Sequence, residues 1–82
     1  MTTKEKQNQE KKLNALLDNI KELVKNDINE DRAKQTIENL NITTFLYNVS
    51  RRTHEQVIAN MTYILCVDYE QPITKIFELL ND

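Results

Sequence analysis

A chain of 82 residues, 39% hydrophobic and 29% charged, is one small folded domain, because a disordered chain carries too little apolar content to compare with it. A formal charge of −2 speaks against the basic field that a nucleic-acid binder presents. With no glycine, phosphate-cradling loops, dinucleotide fingerprints and calcium loops cannot be written, and one cysteine with one histidine makes neither a disulfide nor a zinc site.

Residues 1–12 read as a polar, lysine-rich N-terminal extension, frayed or helical, without the apolar core of a signal peptide. Thr2 and Glu5 fit a T-x-x-E capping box, which favours helix from about residue 3. Residues 13–82 read as a single helical domain. Leu13, Leu16, Leu17, Ile20, Leu23 and Val24 recur at the spacings of one helix face, so a first helix is predicted over 3–26, ending at Asn26. Its two heptads are too few for a free-standing coiled coil, and a bundle helix is the better reading.

Asp27 followed by Glu30 offers a second capping box and a helix over 29–40, with Asn29 as a rival cap. Its face, Ala33, Ile37 and Leu40, is thin, so it is expected to lie over the core. Asn41 is expected to end that helix and cap the next, over 42–50. There Ile42, Phe45, Leu46 and Val49 share an apolar face, with Tyr47 beside it.

Thr53 and Gln56 form a third box and start a helix over 54–68. Val57, Ile58, Met61, Ile64 and Leu65 make its broad face, and Ala59, Tyr63, Cys66 and Val67 extend it nearly all round. A helix apolar on all sides is expected to be buried on all sides, at the centre of the domain or partly at an interface. Cys66 reads as a buried small hydrophobe. Pro72 opens the last helix, over 72–81, whose face is Ile73, Ile76, Phe77 and Leu80. The expectation is an all-α compact bundle of four to five helices with the fourth at its centre.

Charge is uneven along the chain. Residues 1–26 carry +2, residues 27–41 carry −2, residues 42–67 carry +1 and residues 68–82 carry −3. The acids lie on polar helix faces beside lysines, as Asp18 and Glu22 do with Lys21 and Lys25, which is the pattern of a solvated surface. No catalytic residue, metal or cofactor is expected. No run approaches the roughly 18 apolar residues that span a membrane. An intracellular, cytoplasmic protein is expected.

The function expected is binding of another protein, as an inhibitor, adaptor or regulator of the kind phages and mobile elements encode. The lysine, asparagine and isoleucine richness of an AT-rich genome suits such an origin. Self-association, first as a dimer, is part of this reading. The residue types enriched where proteins meet are tyrosine and arginine, and Tyr47, Arg51, Arg52, Tyr63 and Tyr69 are the candidates. The alternative parses residues 42–65 as a helix-turn-helix on DNA. In it Arg51 and Arg52 hold phosphate, and His54, Gln56 and Asn60 face the bases.

Overall fold

A computed structural model describes residues 2–81. In chain order it has α1 (Thr3–Lys25), α2 (Glu30–Asn48), α3 (His54–Tyr63), which continues into a π turn over Ile64–Asp68, and α4 (Ile73–Asn81). No strand occurs among the described residues. The Cα envelope measures 41 × 28 × 17 Å, a flat body in which every helix keeps one side toward solvent.

The backbone of the fold is α1, which packs on α2, α3 and α4. Thr2 caps it by accepting the Glu5 N–H at 3.1 Å, and Asn26 closes it by donating its side-chain amide to the Glu22 carbonyl at 3.1 Å. Leu13, Leu16 and Ile20 are buried, as their spacing predicts. With Leu40, Val57, Met61, Ile64, Leu65 and Ile76 they form the core. Each such side chain contributes roughly 1.5–3 kcal/mol on burial.

α2 departs from expectation. The predicted break at Asn41 is absent, and one helix runs from Glu30 to Asn48. Asn29 rather than Asp27 is the cap, accepting the Arg32 N–H at 3.1 Å. An asparagine inside a helix costs under about 1 kcal/mol relative to alanine, too little to end a helix that packing holds. Continuity has a consequence for phase. Ala33, Thr36, Leu40, Thr43 and Tyr47, spaced three and four apart, turn inward; Thr36 is buried and Thr43 fully so. Ile42, Phe45 and Val49, expected inside, stand outside at 57%, 63% and 47% exposure, and Ile37 also turns out.

α2 ends in a Schellman motif. Ser50 takes φ 61°, its N–H reaches the Tyr47 carbonyl, and the Arg51 N–H reaches the Leu46 carbonyl at 2.8 Å. A left-handed position usually given to glycine is held here by serine, and the next such corner, after the π turn, is held by Glu70 at φ 54°.

α3 starts on the predicted box. The Thr53 hydroxyl accepts the Gln56 N–H, and the Gln56 side chain accepts the Thr53 N–H at 2.8 Å. Its last turn widens to i→i+5 bonding, with the Tyr69 N–H on the Ile64 carbonyl. Val57, Met61, Ile64 and Leu65 are buried, Cys66 is half-buried, and Tyr63 and Val67 are more than half exposed. Burial on every side is therefore not reached. α4 buries Ile76 and leaves Ile73 and Phe77 half exposed, with Leu79 and Leu80 packed against the core instead.

Candidate functional site: the outward face of helix 2

Polar chemistry fixes which way α2 faces. The Thr43 hydroxyl sits at the α2–α3 seam, 3.2 Å from Asn39 Oδ1, and accepts Asn60 Nδ2 at 2.8 Å and an Arg52 guanidinium N–H at 3.2 Å. Asn60 Nδ2 also lies 3.1 Å from Asn39 Oδ1. Bonds of this kind keep a buried hydroxyl from costing the roughly 1–3 kcal/mol of an unsatisfied group. They hold Thr43 inward, and the aliphatic and aromatic residues at other angles are left facing solvent.

What faces out is continuous. Glu38, Ile42, Phe45 and Val49 are spaced four, three and four apart, so they form one stripe along a single helix, and all four are exposed. Beside the stripe, toward α1, lies an open trough of about 520 Å³ lined by Leu17, Lys21, Ile37, Leu40, Thr44 and Phe45, among others. It adjoins a smaller hollow of about 230 Å³ that shares Leu17 and Thr44 and reaches Leu13, Tyr47 and Val57. The described residues expose 5929 Å², against about 5,100 Å² for a compact monomer of this mass.

The sequence-predicted residues divide. Tyr63 and Arg51 are exposed. Tyr47 is half-buried and lines the smaller hollow. Arg52 is half-buried and bonded to Thr43. Tyr69 is drawn into a knot at the start of α2. There the Arg32 guanidinium grips both oxygens of Asp27 at 2.7 Å, lies 4.8 Å from the Tyr69 ring centre and donates to the Asp68 carbonyl. The knot fastens the α1–α2 corner to the π turn.

The Asp27 side chain is fully covered in this knot, while that of Arg32 stays partly open to solvent. The guanidinium hydrogen bond, aided by the Asn29 N–H, holds the Asp27 carboxyl well below the usual carboxylate range, against the opposing effect of desolvation. Burial pushes the Tyr69 hydroxyl above its ordinary value. That hydroxyl is enclosed without a hydrogen-bond partner among the described residues.

The groups of the DNA reading are also placed. Asn60 and Arg52 are bonded at the α2–α3 seam, and Gln56 is spent on the α3 cap. His54 Nε2 lies 3.3 Å from the Gln9 carbonyl oxygen, a contact between α3 and α1. Of the five, Arg51 alone has an exposed side chain with no hydrogen bond or ion pair among the described residues.

Sequence reasoning missed Ile42, Phe45 and Val49 as surface residues and Asp27 and Arg32 as a pair. The signal for the first was the Ala33, Thr36, Leu40, Thr43, Tyr47 spacing, hidden by the polarity of threonine. The pair is five apart, outside the three- and four-residue spacings of helix ion pairs, because Asp27 precedes the helix. No helix among the described residues is long and apolar enough to cross a membrane. Compared with known proteins, the chain matches no family model, no curated protein and no solved structure.

Proposed function

We propose that this chain is a non-enzymatic binding protein, an inhibitor, adaptor or regulator, whose contact surface is the outward face of α2 with the trough beside it. One observation carries the reading: threonines occupy the buried side of α2 while Ile37, Ile42, Phe45 and Val49 occupy the exposed side. An apolar row on a monomer of this size is the mark of an interaction surface, since isolated exposed apolar residues are common and aligned ones are not. Phe45 supplies the aromatic anchor such surfaces use, and Arg51 stands just past the C-terminal end. α3 holds α2 in phase through Asn60. A small regulator of the phage or mobile-element type, working by occupying a protein surface, fits this arrangement.

The test compares the wild-type chain with Phe45→Asn and Ile37→Asn, each checked for unchanged helicity. Light scattering measures the mass in solution, and tagged chain captures partners from host lysate. The wild type is expected to associate with itself or to retain a discrete protein, and the variants to lose that association at least about tenfold. A wild-type chain that stays monomeric and retains nothing overturns the reading.

A further inference from the structure

The geometry points to a second copy of this chain as the occupant of the α2 stripe, in a two-fold antiparallel α2–α2 seam centred on Phe45. This rests on the outward face of α2 being a protein-binding surface. It goes further by naming the partner and the register.

A two-fold contact requires a surface that is complementary to itself when reversed. The stripe has that property. Antiparallel pairing about Phe45 brings Phe45 against its own counterpart. It brings Ile42 within one residue of the level of Val49 of the second copy, and Val49 likewise of Ile42 of the second copy. Arg51, in the left-handed turn just past the helix end, comes within reach of Glu38 of the second copy through its long side chain, again twice. All five positions are exposed, and neither Glu38 nor Arg51 has an ion-pair partner among the described residues. Apolar residues thus meet apolar residues at the middle, and opposite charges meet at both ends. A parallel seam would instead align Glu38 with Glu38 and Arg51 with Arg51.

The charge along α2 favours the same direction. Its first half carries Glu30, Asp31 and Glu38 against Lys34 and an Arg32 already paired with Asp27, while the loop after it carries Arg51. The alternating spacing of four, three and four is the spacing of a two-helix seam. Twelve residues, under two heptads, make an interface smaller than the roughly 800 Å² per partner of a standard stable complex. Association is therefore concentration-dependent and reversible.

The experiment uses the full chain. Sedimentation of the wild type across a concentration series up to about 1 mM is expected to show a monomer–dimer equilibrium. Glu38→Arg alone and Arg51→Glu alone are each expected to weaken it about tenfold, and the two together to restore it. In a Cys66→Ala background, Asn41→Cys combined with Asn48→Cys, two exposed positions beside the stripe that leave Phe45 in place, is expected to form a disulfide-linked dimer under mild oxidation, whereas Tyr63→Cys does not. A wild type that remains monomeric at every concentration overturns the self-pairing. If that monomer still captures another protein through Phe45, only this inference falls, and the binding surface stands. A dimer that the Asn41→Cys, Asn48→Cys pair fails to link, or whose charge reversals do not rescue one another, overturns the register.

Discussion

In α1 the buried residues are Leu13, Leu16 and Ile20; in α2 they are Thr36, Leu40 and Thr43, while Ile42, Phe45 and Val49 stand outside. Both are long helices with mixed sequences, and they arrive at their buried faces by different routes. α1 has one apolar stripe and turns it to the core, as hydrophobic burial alone demands. α2 carries two competing stripes about half a turn apart. The choice between them falls to its capped start, its unbroken run and the hydrogen bonds of Thr43. Hydrophobicity selects a face only where nothing else has already set the phase.

Core truncation separates the two helices most sharply. Leu16→Ala is expected to cost about 2–5 kcal/mol in chemical denaturation, the usual cost of a cavity at a fully buried leucine. Phe45→Ala, a larger deletion, is expected to change monomer stability by less than about 0.5 kcal/mol because its side chain is exposed. A loss at Phe45 comparable to that at Leu16 would mean α2 is turned the other way.

Next in size is the seam. Thr43→Val keeps the shape but strips partners from Asn60, Arg52 and Asn39, and is expected to cost about 1–3 kcal/mol. Thr43→Ser keeps the hydroxyl and loses a methyl, for about 1 kcal/mol. Valine milder than serine would show that packing, and not the polar network, sets the phase.

Asp27 gives an effect confined to acid. Its folded-state pKa lies below the ordinary value near 4, so its contribution is fully present above that pH and is lost as pH falls toward the folded value. The wild-type urea midpoint is expected to drop as the pH is lowered through this window. Asp27→Asn should be less stable at neutral pH and nearly flat below pH about 4 in the part Asp27 controls. Identical acid profiles for the two proteins would remove Asp27 from the account of how α2 is anchored.

Smallest is the corner that ends α2. Ser50→Gly relieves a left-handed serine but loosens the unfolded chain, and a net gain under about 1 kcal/mol is expected in thermal melts. A net loss would mean that the Ser50 side chain contributes something beyond its conformation.

The helical class, the extent of α1 and the Thr53–Gln56 cap are readable in the residues, because each rests on local chemistry at fixed spacing. The phase of α2 is not. Ala33, Ile37 and Leu40 fit one face and Ile42, Phe45, Leu46 and Val49 another, and an asparagine between them suits a boundary as well as an interior. What decides is contact with Arg52 and Asn60, nine and seventeen residues beyond Thr43, which no periodicity reports. The same holds for the proposed binding surface. Arginine and tyrosine content points to a contact, but Arg52 and Tyr69 are taken up inside the fold, and the outward residues are ones whose hydrophobicity predicts burial.

Ser50 and Glu70 turn left-handed corners without glycine, each at a local strain of about 1–2 kcal/mol. A glycine-free denatured ensemble, however, has fewer conformations to surrender, so ordering this backbone is less unfavourable than for a chain of average composition. A slender fold with so modest an interior is thus favoured partly by the stiffness of its own disordered state.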